Sequence, residues 1–130
     1  MILAIFASSC ETYDDYDTDR PVVIGFTLSN SNVKIPNGGT RDKSVDVFIS
    51  EAASVDRTFT VSVIADQTEL AAENYSFDAT LLIPANERFA QFVLTGIDMS
   101  LTTDKLPLTL QVNPKDGILS GGKITYLIFK

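Results

Sequence analysis

Cys10 is the residue of this 130-residue sequence whose surroundings point most clearly to a covalent chemistry. The sequence contains one cysteine, no histidine and no tryptophan. A single cysteine cannot close an internal disulfide or build a cysteine-rich zinc site. The absence of histidine removes the commonest general base, the commonest metal ligand and the usual partner of a serine or cysteine nucleophile. The Cys10 thiol is therefore better suited to modification than to catalysis.

The residues around Cys10 change character in three steps. Residues 2–6 are apolar, residues 7–9 are small, and residues 11–19 are rich in acidic side chains. An apolar run, then small residues, then a processing point is typical of an export signal. With cysteine at that point, the segment resembles a bacterial lipoprotein signal, in which cleavage precedes the cysteine and the new N-terminal cysteine is acylated. The resemblance implies a signal remnant over residues 1–9, lipidation of Cys10 and an acidic tether over residues 10–20. The alternative is that Cys10 is a small apolar residue of an N-terminal strand.

The acidic residues after Cys10 indicate where in the cell the protein would be located. Acidic side chains directly after the acylated cysteine resemble the signal of surface-exposed lipoproteins of the Bacteroidetes. This resemblance implies a protein held on the outer membrane by its lipid and exposed at the cell surface. Asp15, Asp17 and Asp19 alternate like the first ligands of a calcium loop, but Arg20 and Phe26 stand where that loop needs glycine and glutamate. We therefore predict a solvated tether, with no metal and no cofactor.

Charge and side-chain inventory argue against two further functions. The net charge is −7, whereas nucleic-acid binding needs a basic patch for the phosphates. The carboxylates show no pair placed to split their pKa values for acid/base catalysis. The serine, threonine and lysine residues lie in no recognisable nucleophile motif. We predict that the chain is not an enzyme and does not bind nucleic acid.

From Pro21 onward the hydrophobic pattern has a period of two. Val45, Val47 and Ile49 alternate with more polar neighbours, as they would in a strand with one buried face. Similar runs, separated by Gly-, Asn- and Pro-rich turns, recur along the chain. The pattern predicts strands near residues 22–28, 44–51, 58–66, 79–84, 88–97, 106–113 and 123–130, with a short extra strand near 33–35.

This pattern predicts an all-β domain over residues 21–130, an antiparallel immunoglobulin-like β-sandwich of about seven strands. The helical signal is limited to one brief turn near residues 68–74. The apolar face of each strand supplies the predicted core, which consists of Val47, Ile49, Val61, Val63, Phe92, Leu94, Leu108 and Leu110.

One strand carries large apolar residues on both faces. Phe89 and Val93 share one face, and Phe92 lies on the other. Exposed apolar area on the first face would mark a contact surface. Since exposed apolar residues are common one at a time, the preferred interpretation is that a loop or a long side chain covers this face.

Three segments follow one another in a characteristic order: a Tyr75-containing loop at residues 72–77, an Ile-Pro-Ala turn within residues 81–87, and a strand at residues 89–94. This order resembles the Calx-β-like sandwich. The ending, residues 106–112 followed by 121–128, looks like an uncharacterised N-terminal sandwich of Bacteroidetes surface lipoproteins. The likeness covers residues 22–130. Calx-β sandwiches of the calcium-regulated kind use clustered loop acids, but Met99 and Ser100 follow Asp98 here, so calcium binding is not carried over.

The resemblance implies a non-catalytic binding or adhesion domain at the cell surface, with glycan or another surface protein as partner. Exposed aromatic residues commonly form sugar platforms, so Tyr13, Tyr16, Tyr75 and Tyr126 are the candidates. The alternative is a structural spacer or assembly module of a larger surface complex, or a fragment of a longer surface protein.

Overall fold

The computed structural model describes residues 21–130, which form a sandwich of two five-stranded sheets. The predicted signal remnant, the predicted lipidation site at Cys10 and the predicted acidic tether lie outside the described residues. The ten strands are β1 (Val23–Phe26), β2 (Asn30–Lys34), β3 (Thr40–Ile49), β4 (Arg57–Val63), β5 (Tyr75–Phe77), β6 (Thr80–Ile83), β7 (Phe89–Ile97), β8 (Leu106–Val112), β9 (Leu119–Ser120) and β10 (Ile124–Phe129).

The first sheet has the strand order β5-β7-β3-β1-β9, and the second has the order β2-β10-β8-β4-β6. The all-β sandwich is confirmed, with two corrections to its details. Two pairings are parallel, β1 with β9 and β2 with β10, so the sandwich is mixed rather than wholly antiparallel. The strand count exceeds seven partly because β5 and β9 span only three and two residues, too few to show an alternating pattern.

Helical structure within residues 21–130 is confined to two single 3₁₀ turns. They span Ala65–Gln67, just before the predicted helical segment of residues 68–74, and Ala72–Asn74, at the end of that segment. None of the helical segments in this described part has the length and apolar character needed to cross a membrane.

The core lies between the two sheets and follows the predicted faces. Seven of the eight predicted core residues are buried, while Val63 is half-buried and packs against the others. Phe26, Phe77 and Phe92 form an aromatic group inside the first sheet, with Phe92 at 5.4 Å from Phe26 and 5.5 Å from Phe77 between ring centroids. This packing fixes which face of β7 points inward, and hence which face is left outside.

Candidate functional site

The tyrosine candidates do not form a surface platform in the described part of the chain. Tyr126 is fully buried in the core. Tyr75 is half-buried, and its ring lies parallel to that of Phe77, with the centroids 6.2 Å apart. Tyr13 and Tyr16 lie outside the described residues. Tyr75 and Tyr126 were therefore wrong as platform residues, because both point toward the interior of the sandwich.

Asp98, at the end of β7, is engaged in holding loops together. Its carboxylate accepts hydrogen bonds from the backbone N–H groups of Gly38 at 2.6 Å and Leu101 at 3.2 Å, and it pairs with Lys130 at 3.5 Å. The Asp98 side chain is only 5% exposed. The Gly38 hydrogen bond is the main cause that lowers the pKa of this carboxyl. These three partners assign Asp98 a structural role.

The loop that follows Asp98 is fixed by a buried amide. The Asn74 side-chain oxygen accepts hydrogen bonds from the backbone N–H groups of Met99 and Ser100, and its nitrogen donates to the Ser100 hydroxyl. Within residues 21–130, no three acidic side chains are grouped closely enough to hold a metal ion.

The outer face of the first sheet carries an exposed apolar area. Phe48 of β3 stands directly opposite Phe89 of β7, and their rings meet with centroids 5.0 Å apart. Phe89 is 52% exposed and Val93, on the same face, is 45% exposed. The preferred sequence interpretation, in which a loop or side chain covers this face, was therefore wrong for the described part of the chain.

A groove opens beside this aromatic pair, and two glycines, Gly25 and Gly122, form part of its wall. Gly25 of β1 lies opposite Phe48 and presents no side chain on the outer face. The chain at Gly122 borders β1 closely, since the Gly122 carbonyl accepts a hydrogen bond from the Phe26 N–H at 2.9 Å. A Cβ atom at Gly25 would press against the Gly122 backbone nitrogen, so this approach requires glycine.

The groove has a volume of about 470 Å³ and an uncharged lining. Apart from the pair of rings and the two glycines, the residues that border it are Val23, Phe26, Thr27 and Ser50. The Ser50 hydroxyl oxygen accepts a hydrogen bond from the Val23 N–H at 3.0 Å, which leaves its own hydrogen available to a ligand. The lining therefore combines aromatic and aliphatic surface with hydroxyl groups.

A polar row lies next to the aromatic row on the same face. It consists of Thr27, Asp46 and Gln91. Each lies two residues along its own strand from a residue of the aromatic row (Gly25, Phe48 and Phe89, respectively), and two residues span about 7 Å. Thr27 donates hydrogen bonds from its N–H and its hydroxyl to the Asp46 backbone carbonyl. Asp46 and Gln91 are exposed, and their side chains make no hydrogen bond to another of residues 21–130.

A smaller concavity of about 110 Å³ lies at one end of the sandwich, around Arg57 and Lys115. Both cations already bind main-chain oxygens. Arg57 donates to the Glu51 carbonyl at 2.9 Å, and Lys115 donates to the Thr58 carbonyl at 2.7 Å. These bonds tie the loops at this end to β4, and Asp116 also borders the cavity.

The sequence matches no protein-family model and no curated protein. Among solved structures, the apo-form Calx CBD1 domain is similar over 85% of this chain and 100% of its own, with 16% identity and a TM-score of 0.61. A Bacteroides ovatus protein of unknown function shows 20% identity and a TM-score of 0.61 over 82% of this chain and 45% of its own. A "putative carbohydrate binding protein" from Bacteroides ovatus ATCC 8483 shows 14% identity and a TM-score of 0.60 over 82% of this chain and 36% of its own.

These likenesses establish a Calx-β-like β-sandwich. At such low identity they speak to the fold alone. The chain spans less than half the length of the two Bacteroides ovatus proteins.

Proposed function

We propose that this chain is a non-catalytic binding domain of a bacterial surface lipoprotein and that its ligand is a glycan. The observation that carries the proposal is the uncharged groove beside Phe48 and Phe89 on the outer face of the first sheet. The carbohydrate-binding name of one Bacteroides ovatus neighbour supports the choice of ligand class. Outer-membrane location through the lipid on Cys10 completes the proposal.

The groove suits a sugar for physical reasons. A pyranose ring has apolar C–H faces and polar hydroxyl edges, so it needs an apolar floor with a few hydrogen-bonding groups beside it. Small-molecule sites generally combine those two features, in volumes of roughly 300–1,000 Å³. The volume of about 470 Å³ falls in that range. The half-exposed ring of Phe89 offers the stacking surface.

Binding can be tested by electrophoresis through gels that contain neutral polysaccharides. The wild-type protein should be retarded by at least one of them, and Phe89→Ala should migrate as in an empty gel. Leu82→Ala is a matched control, because Leu82 is 46% exposed on the outer face of the second sheet. Equal loss of retardation in both variants would argue against the groove.

The second candidate function is a structural spacer of a larger surface protein. It is favoured by the finding that the chain spans less than half of its Bacteroides ovatus neighbours. A spacer needs no ligand, so it predicts unretarded migration of the wild-type protein in every polysaccharide gel. The same experiment therefore separates the two functions.

The membrane anchor has its own test. With a complete signal, the wild-type protein should enter the detergent phase of a Triton X-114 extract, and Cys10→Ser should stay in the aqueous phase. Each buried methylene of an acyl chain contributes about 0.8 kcal/mol to membrane binding, so the loss of the lipid should release the protein. Equal partitioning of the two forms, with no acyl mass on the N-terminal peptide, would remove the anchor from the proposal.

A further inference from the structure

We propose that the groove selects neutral sugars and that Asp46 excludes acidic ones. This inference rests on the proposed glycan-binding function and names the ligand class of the same site. The aromatic row would receive the apolar face of a sugar ring, and the polar row Thr27–Asp46–Gln91 would bind its hydroxyls.

The polar row is placed to reach the edge of a sugar that lies on the aromatic row. The two rows are about 7 Å apart, which is close to the width of a pyranose with its hydroxyl groups. A carboxylate accepts from sugar hydroxyls, whereas a side-chain amide both donates and accepts. Because Asp46 and Gln91 are exposed and make no hydrogen bond within the described chain, binding would not first have to break such a bond.

The charges of this face favour a neutral ligand. The outward positions of β3 carry two carboxylates, Asp42 and Asp46. Within β1, β3 and β7, the outward positions contain no lysine or arginine. A carboxylate on a sugar ring held over Phe48 would therefore meet a negative charge about 6–7 Å away. The nearest cations in sequence, Arg88 and Lys123, precede or follow groove residues at the edge of the groove and are not among these outward positions.

The same charges oppose a second copy of the chain as the occupant. Two copies placed face to face would bring their Asp42 and Asp46 carboxylates toward one another across the interface. Stable protein interfaces also bury about 800 Å² per partner, and this would enclose those charges. A small neutral ligand covers the aromatic row without enclosing them.

The size of the discrimination follows from Coulomb's law. Two unit charges about 6 Å apart, in a medium with a dielectric constant between about 80 and 40, weaken binding roughly three- to ten-fold. Replacing Asp46 by asparagine keeps the shape of the side chain and removes the charge. The discrimination should then disappear.

The experiment uses matched sugars that differ only at C6. The full chain is titrated with the methyl pyranosides of glucose, galactose and mannose and with the three corresponding uronides, and binding is followed by ¹H–¹⁵N NMR. Asp42→Asn is the charge-matched control, since Asp42 lies on the same face of β3 but four residues, or about 14 Å, from Asp46. Its carboxylate is engaged by the Thr95 hydroxyl at 2.8 Å.

At least one neutral glycoside should shift the amide signals of residues 23–27, 46–50 and 89–91. Its uronide should bind about three- to ten-fold more weakly to the wild type and to Asp42→Asn, but equally well to Asp46→Asn. Equal binding of both sugars to the wild type, or discrimination that survives in Asp46→Asn, would overturn the inference while the glycan function stands.

Two other results would overturn the inference on different grounds. If no sugar shifts these amides, the proposed function fails together with the inference. If the amides shift with protein concentration alone, the face is an interface between two copies, and the inference is wrong.

Discussion

Phe92 and Phe89 lie on the same strand but on opposite faces, and truncation of each to alanine should have very different costs. Phe92 is 3% exposed and Phe89 is 52% exposed. A phenylalanine offers about 200 Å² of surface, so burial at about 25 cal/mol per Å² is worth roughly 5 kcal/mol for Phe92 and at most roughly 2.5 kcal/mol for Phe89. Core Phe→Ala substitutions typically cost about 3–5 kcal/mol.

We therefore expect Phe92→Ala to lower the free energy of unfolding by about 3–5 kcal/mol, and Phe89→Ala by about 1–2 kcal/mol. Urea unfolding followed by far-ultraviolet circular dichroism measures both values, and for a domain of this size each kcal/mol shifts Tm by roughly 4 °C. The Phe92 variant should lose stability because the cavity between Phe26 and Phe77 cannot close fully. Equal losses in the two variants would refute the assignment of faces.

Three other substitutions test single contacts, and a thermal melt over a range of pH values measures each. Tyr126→Phe should leave the free energy of unfolding unchanged or raise it by about 1 kcal/mol, because the buried hydroxyl has no hydrogen-bond partner in the described chain. Burial raises the pKa of Tyr126, so the stability of the wild type should fall as the pH rises above about 10. The stability of Tyr126→Phe should fall less steeply with pH, and the same pH dependence of Tm in both proteins would contradict this. Gly25→Ala should cost about 1–3 kcal/mol, because its Cβ would press on the Gly122 backbone, and an unchanged Tm would contradict the close approach. The hydrogen bond from Gly38 helps to hold the Asp98 pKa low, so its stabilising effect is present above about pH 4 and is lost as the pH falls further; Asp98→Asn should be less stable at pH 7 and show a weaker acid dependence.

The sandwich could be predicted from the sequence because its longer strands have one buried face. The alternation of Val45, Val47 and Ile49 set the inward face of β3, and all three are buried. The parallel pairing of β1 with β9 left no such trace, because β9 has two residues. Such a strand is held by its neighbours rather than by its own pattern.

The candidate site was harder to predict because it arises from register across strands. Phe48 and Phe89 are 41 positions apart in sequence, and Gly25 comes from a third strand, so no local pattern brings them together. The available signal was the presence of Phe89 and Val93 on one face of β7. It indicated an apolar outer face, but it could not show whether another segment covers that face.

The most direct test of glycan binding in the groove is a crystal structure of the protein in complex with an oligosaccharide. The oligosaccharide should come from a polysaccharide that retards the protein in the gels. We predict a sugar ring stacked on Phe89 in the groove beside Gly25, with its hydroxyls within about 3.2 Å of Asp46 or Gln91. A sugar bound at the Asp98 loops or around Arg57 and Lys115, with the outer face of the first sheet empty, would contradict it.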